Sequence, residues 1–346
     1  MSVAPLVVVI ASPLEAEHVA TLREGAPANV TVQYEPDLLP PIRYDADHDG
    51  PPDWTRTPEQ QFRWAAMLAG ADALWDIDRR AGTHPHRYAP RVRWLGMSSA
   101  GVGQAARRLG IRPEDGITIT TASGTHAGPL AEFALYGILH FVKEGPYLAR
   151  EKAAKQWHRY AADELTDKTL VVIGPGKIGQ AVARAAHGFG MRTVAVGTGR
   201  DYPHFDESVN RDGMADALRA ADALVLAAPH TDETENILDA AMIALLKPTA
   251  VVVNIGRGQL VDEAALTDAL VQRRIRGAAL DVFRVEPLPT DSPLWNLDNV
   301  LINPHSASTA RAENTRLTQL FLHNLRLFAA GRTGEMRNIL DLDRLY

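Results

Sequence analysis

The sequence predicts an α/β protein of two domains, and three observations carry that expectation. Its 346 residues exceed what one hydrophobic core usually organises. Beyond Thr169, short runs of β-formers alternate with segments of helical spacing, the pattern of a parallel sheet with helices on both faces. The first of these strands, at 170–173, runs into Gly174-Pro175-Gly176-Lys177-Ile178-Gly179 and then an alanine-rich helical stretch.

Strand, G-x-G-x-x-G turn and helix in that order are the context of a dinucleotide site, which glycines alone would not establish. Gly174 permits the tight turn, and Gly176 lets the backbone approach a pyrophosphate. Gly179 lets the helix pack onto the strand, while amides at the helix start, around Lys177 and Ile178, meet the phosphates. The expected architecture is a Rossmann-type doubly wound parallel sheet over 122–306. A smaller flavodoxin-like α/β domain takes 1–121 and 307–346, and two long crossing helices join the two.

Composition narrows the classes of function. A net charge of −6 with no Lys/Arg block argues against nucleic acid. The absence of cysteine excludes disulfides, thiolate zinc sites and a thiol nucleophile, and fits a reducing cytoplasm, where the protein is expected. The apolar run at 6–11 is too short to span a membrane, and no basic residue precedes it as in a signal peptide. It reads as the first strand of a soluble domain.

In the first domain, strand 6–10 precedes helix 14–22, strand 30–34, helix 59–69 and strands 73–77, 92–95 and 117–121. Residues 36–58 are rich in proline and aspartate, without period, and are expected as a long loop suited to lining a cleft. Asp45, Asp47, Asp49 and Gly50 mimic the start of a calcium loop. The twelfth position, however, is Arg56 and no helices flank it, so no metal is expected. At 96–103, GMSSAGVG leaves amides accessible to a carboxylate, and equally suits a plain strand-to-helix turn. The apolar stretch 125–143 reads as a helix buried between domains, with His126 as a helix-start or interface residue rather than a ligand. Residues 151–167, charged and carrying Trp157, read as an arm.

The second domain continues with helix 178–189, strand 193–196, helix 214–220, strand 223–227, helix 239–245 and strand 250–254. Helix 262–273 and strands 277–281 and 299–302 follow. The amphipathic helix 307–330 is expected to return to the first domain.

In a doubly wound sheet, ligands lie outside the carboxyl ends of the strands. Three successive strand ends there deliver polar residues: Asn254-Ile255-Gly256-Arg257, Asp281 with Glu286 five residues on, and Asn303-Pro304-His305. A guanidinium fork grips the carboxylate of a 2-oxo acid by two hydrogen bonds. Histidine exchanges a proton near neutral pH, and a carboxylate behind it orients the ring and favours its charged form.

With these motifs assembled, nearly the whole chain resembles the D-isomer-specific 2-hydroxyacid dehydrogenases, which include glyoxylate/hydroxypyruvate reductases. SSAGVG, PLAEFAL, LVVIGPGKIG, APHTDETEN, LLKPTAVVVNIGRGQLVDEAAL, GAALDVFRVEPLP and SPLWNLDNVLINPH occur in the family's order. The resemblance implies an NAD(P)-dependent dehydrogenase or 2-oxo acid reductase. Arg257 would be its carboxylate anchor, Glu286 the partner of the histidine, and His305 the acid/base. It also implies that the amides of Ser99, Ala100, Gly101 and Val102 complete the carboxylate site in a substrate-binding first domain. Ile255, Gly256 and Asp281 would hold the nicotinamide end, with Pro229 and Thr234 along the cofactor. A homodimer through the cofactor domain is implied, the arm around Trp157 reaching the partner.

One departure points to the cofactor. The end of the second cofactor strand should carry an acid for the ribose of NAD, yet here Gly197, Thr198, Gly199 and Arg200 follow it. Thr198 and Arg200 suit a 2′-phosphate, so NADP(H) is expected in preference to NAD(H), although Asp201 offers a competing NAD contact. The rivals are a formate dehydrogenase and a non-catalytic, corepressor-like dinucleotide sensor. The first has glutamine where Glu286 stands; the second fits poorly with the acidic charge. A phosphoglycerate dehydrogenase shares the core chemistry, but no added regulatory domain is seen before Tyr346.

Overall fold

A computed structural model describes residues 5–344. The chain divides into two units, Met1–His126 with Thr309–Tyr346, and Ala127–Ser308.

The smaller unit opens with β1 (Leu6–Ile10), α1 (Ala16–Gly25) and β2 (Val30–Gln33), then α2 (Pro58–Ala69), β3 (Ala73–Trp75) and β4 (Trp94–Gly96). Helix α3 (Gly103–Arg108) and β5 (Thr118–Thr120) follow. The strands pair in parallel in the order β2-β1-β3-β4-β5, the flavodoxin-like arrangement expected. Alternate side chains face opposite layers, as the strand period of two requires. Val9, Leu74, Leu95 and Ile119 pack with Trp64 and Leu68 of α2, whereas Val8, Ile10, Trp75 and Trp94 pack with Leu22 of α1. Helix α2 starts where it does because Thr57 and Gln60 cap one another reciprocally and Pro58 occupies its first position. Residues 39–57 form the irregular loop read from the sequence. Asp47 there is occupied by Arg43 and by the amides of Asp49 and Gly50.

The larger unit runs α4 (Ala127–Val142), α5 (Gly145–Ala154), β6 (Thr169–Ile173), α6 (Lys177–His187), β7 (Arg192–Val196), β8 (Glu207–Val209) and α7 (Met214–Ala220). It continues with β9 (Ala223–Leu226), α8 (Ala240–Ile243), β10 (Val251–Asn254), α9 (Glu263–Val271), β11 (Gly277–Leu280) and β12 (Val300–Ile302). All seven strands are parallel, in the order β12-β11-β10-β9-β6-β7-β8. Successive connections run one way from β6 to β8 and the other way from β9 to β12, so the sheet is the Rossmann-type doubly wound one, with its switch point between β6 and β9. Strands β6, β9 and β10 are buried on both faces, which is why they read as continuous apolar runs. Helix α4 lies close on the sheet because Gly137 has no side chain: a Cβ there would stand 2.5 Å from that of Ala279.

Several elements depart from the sequence reading. Strand β8 and helices α3 and α5 were not anticipated. The segment read as an arm begins inside α5, which Lys155 ends in a left-handed conformation (φ 55°); residues 156–165 then lack regular structure. The last helix, α10 (Glu313–Ala329), belongs to the smaller unit and starts six residues later than its helical spacing suggested. Among the described residues, no helix is long and apolar enough to cross a membrane.

Candidate active site

The glycine turn after β6 has the shape its residues predict. Gly174 holds φ +95° with its would-be Cβ 2.4 Å from the Ala228 nitrogen, so neither the conformation nor the space admits a side chain. A Cβ on Gly179 would lie 2.4 Å from the Gly174 carbonyl, and this bare surface brings α6 down onto the turn. A Cβ on Gly176, in contrast, would meet nothing within 4 Å, so the turn is open at the position where a pyrophosphate would approach. Lys177 and Ile178 open α6, whose free amides face an anion at that point. The residues present fit a dinucleotide.

Three strand ends build the chemistry beside it. After β10, the Asn254 side chain accepts from the Gly256 amide (3.1 Å) and donates to the Arg257 carbonyl (2.9 Å), folding the chain into a tight hook. Ile255 is buried in the hook, and Arg257 Nη1 donates to the Gly256 carbonyl at 2.6 Å. Burial weighs against the Arg257 charge and lowers its pKa, while Glu286 and Asp281 oppose the fall. A guanidinium stays cationic under such a shift.

After β11, Asp281 is buried and turns inward rather than toward a ligand. Its Oδ1 accepts from the amides of Ser306 and Ala307 (2.9 and 3.0 Å), and its carbonyl accepts from the His305 amide at 2.9 Å. Burial raises its carboxyl pKa, against the pull of those amides. The sequence assigned Asp281 to the nicotinamide end; in the fold its visible work is to clamp the turn after β12. That clamp holds His305 at φ 53°, a conformation unusual for a side-chain-bearing residue.

His305 Nδ1 and Glu286 Oε2 are 2.8 Å apart, and Glu286 Oε1 accepts from the Phe283 amide at 2.9 Å. An ionised carboxylate can only accept, so the Nδ1 proton points at Glu286 and Nε2 is left to exchange a proton. The bond to Glu286 raises the His305 pKa above its ordinary value, with burial opposing. For Glu286 burial favours the neutral form, but the bonds from His305 and Phe283 outweigh it and hold the carboxyl below its ordinary range. Both side chains remain partly open, at 44% and 36% exposure, so the pair is accessible to a substrate.

At the far end of β7, Thr198, Gly199 and Arg200 are exposed. Sequence reasoning missed Tyr202, whose hydroxyl accepts from the Thr198 amide at 3.1 Å and lies 2.9 Å from Thr198 Oγ1. The Arg200 guanidinium sits 5.0 Å from the centre of its ring. Only the spacing of an aromatic four residues after Thr198 could have flagged it. After β9, Thr234 donates to the Pro229 carbonyl at 2.7 Å and caps the Thr231 amide, giving that turn its shape.

Ser99, Ala100, Gly101 and Val102 lie in the smaller unit, between β4 and α3. Val102 is buried, and the Ser99 carbonyl accepts from Ala122. His126 immediately precedes α4 and bonds the buried Glu313 at 3.1 Å.

Comparison with known proteins agrees with this geometry. The family described as D-isomer specific 2-hydroxyacid dehydrogenase, NAD binding domain, matches residues 135–307. A glyoxylate reductase of Aeropyrum pernix is 34% identical over 280 residues, covering 76% of this chain and 81% of that protein. Glyoxylate/hydroxypyruvate reductase B of Pectobacterium carotovorum is 33% identical over 259 residues, 72% of this chain and 79% of its own. A crystal structure of a D-isomer specific 2-hydroxyacid dehydrogenase family protein from Aeromonas salmonicida has the same fold, with a TM-score of 0.81, 24% identity, and coverage of 98% of this chain and 100% of that one. The chain belongs to the D-isomer specific 2-hydroxyacid dehydrogenase family and is an NAD(P)-dependent oxidoreductase of the CH–OH group of 2-hydroxy acids.

Proposed function

We propose that the protein reduces a small 2-oxo acid, of the glyoxylate or hydroxypyruvate class that its relatives' names carry, with NADP(H) preferred over NAD(H). The observation that carries this reading is the His305–Glu286 pair on the same row of strand ends as Arg257. When bound, the nicotinamide supplies the hydride. Arg257 binds the substrate carboxylate through two parallel hydrogen bonds and so fixes the orientation of C2. Negative charge that develops on the carbonyl oxygen is met by the proton on His305 Nε2. Glu286 keeps that proton available by stabilising the imidazolium and keeps Nε2, not Nδ1, turned outward.

NADP(H) preference rests on the strand end after β7, where no carboxylate stands to repel a 2′-phosphate and Thr198 and Arg200 provide donors. Within the smaller unit, Ser99, Ala100, Gly101 and Val102 are the stretch proposed to receive a substrate carboxylate. A homodimer through the larger unit is supported by its exposed apolar side chains, Tyr136 on α4, Leu148 on α5, and Trp157 at 96% exposure.

A panel of 2-oxo acids assayed with NADPH and NADH tests the proposal. Turnover is expected with short 2-oxo acids and NADPH. His305→Gln should lower kcat by about 10²- to 10⁴-fold with cofactor affinity unchanged. No turnover with any member of the panel, or full activity in His305→Gln, would sink it.

A further inference from the structure

The residue after β7 is where a dinucleotide fold carries the acid that receives the adenosine ribose. Here it is Gly197, and the space its side chain would fill is already taken. A Cβ on Gly197 would stand 2.7 Å from Tyr202 Oη and 2.9 Å from Pro175 Cγ of the glycine turn. The first atoms of an aspartate at this position and the phenol hydroxyl contend for the same place.

We propose that Tyr202 is the specificity-determining residue of the adenosine end, its hydroxyl replacing the missing ribose-binding acid with an uncharged group that donates to a 2′-phosphate. This inference rests on the reading of Thr198 and Arg200 as a 2′-phosphate site.

Three contacts argue for it. The Oη accepts from the Thr198 amide at 3.1 Å and is 2.9 Å from Thr198 Oγ1, so the loop is folded back with the hydroxyl at its centre. The Arg200 guanidinium, 5.0 Å from the ring centre, is held beside that point by the ring face. Thr198, Arg200 and Oη thus gather three donor-bearing groups at one spot. Second, a phenol differs from a carboxylate in the decisive respect. It can accept from Thr198 and still hand its own proton to a phosphate oxygen, whereas a carboxylate only accepts and carries a repelling charge. Third, the Thr198 donors and Arg200 pull the phenol pKa down against the effect of burial, so electron density on Oη is stabilised by its neighbours.

The test is calorimetric titration of the full-length chain with adenosine 2′,5′-bisphosphate and with 5′-AMP, which reads binding without turnover. Wild type is expected to favour the bisphosphate. Tyr202→Phe keeps the ring under Arg200 and should weaken bisphosphate binding about tenfold, the scale of one hydrogen bond to a charged group. Its 5′-AMP affinity and Tm should stay unchanged. If Tyr202→Phe keeps the full preference, or binds the bisphosphate more tightly, the assignment of Tyr202 is overturned while the 2′-phosphate site stands. If wild type binds both probes equally, the 2′-phosphate site fails and the assignment falls with it. A second pair guards against misfolding of the first. Gly197→Asp alone should weaken both probes, because its Cβ meets the hydroxyl. Gly197→Asp with Tyr202→Ala should reverse the preference toward 5′-AMP. A single Gly197→Asp variant that binds 5′-AMP more tightly than wild type would overturn the shared-space argument.

Discussion

A Cβ on Gly258 would lie 2.0 Å from the carbonyl carbon of Phe283 and 2.1 Å from its oxygen. The loop that carries Arg257 is therefore pressed directly against the main chain of the loop that carries Glu286, whose carboxylate is itself bonded to the Phe283 amide. The anchor and the proton-handling pair share one backbone contact. Gly258→Ala must push these loops apart. The expected result is a loss of about 1–3 kcal/mol, read as a lower urea midpoint, with a larger fall in kcat/KM than the loss of folded protein explains. Wild-type kcat/KM in Gly258→Ala would show that the contact yields without disturbing the site.

The His305–Glu286 bond sets a pH dependence of definite sign. Because the bond raises the His305 pKa, the protonated form needed for reduction persists at low pH and is lost as pH rises through that elevated value. Reduction should therefore fall on the alkaline side and oxidation should rise there. Glu286→Gln removes the anion but leaves the burial, so the inflection in kcat/KM for reduction should move to lower pH. An inflection that stays in place would show that Glu286 does not govern the proton. The same pair makes a stability contribution in a window. It is lost as pH falls through the depressed pKa of Glu286, and lost again as pH rises through the elevated pKa of His305. With both side chains about two-fifths exposed, solvent screening keeps this contribution small.

Arg257→Lys keeps the charge and removes the planar fork. Loss of one charged hydrogen bond corresponds to roughly 10- to 100-fold in affinity, so KM for the 2-oxo acid should rise by that range. The Kd for the cofactor should not move. Equal effects on both would mean that Arg257 supports the site as a whole rather than the substrate.

Trp157 and Tyr136 expose large apolar surfaces on the larger unit, and Tyr136 packs 6.5 Å from Phe133 and 5.9 Å from His140 along α4. Tyr136→Glu with Trp157→Ala should shift sedimentation toward the monomer at micromolar concentration. An unchanged sedimentation coefficient would place the interface elsewhere.

How far the sequence disclosed the fold follows from what each segment buries. Strands β6, β9 and β10 announced themselves because a parallel strand covered on both faces must be apolar throughout. Strand β8, Glu207-Ser208-Val209, has one apolar residue and lies at the edge, so it left no such trace. The late start of α10 was hidden for another reason. Residues 307–312 have helical spacing, but Asp281 captures the amides of Ser306 and Ala307 and holds that stretch as a turn. Arg257, Glu286 and His305 were readable because strand ends are where a doubly wound sheet delivers ligand contacts. The inward clamp of Asp281 and the reach of Tyr202 back to Gly197 depend on contacts through space that spacing along the chain does not encode.

The register of β10, β11 and β12 carries one more implication. Guanidinium, imidazole and acid all hang from adjacent strands of a single sheet, all within Ala127–Ser308. Their mutual spacing is therefore inherited from backbone ladder bonds rather than negotiated by side chains. Substrate scope can drift through substitutions in the smaller unit while proton chemistry is left untouched, which makes that unit the natural target for retuning what the enzyme accepts.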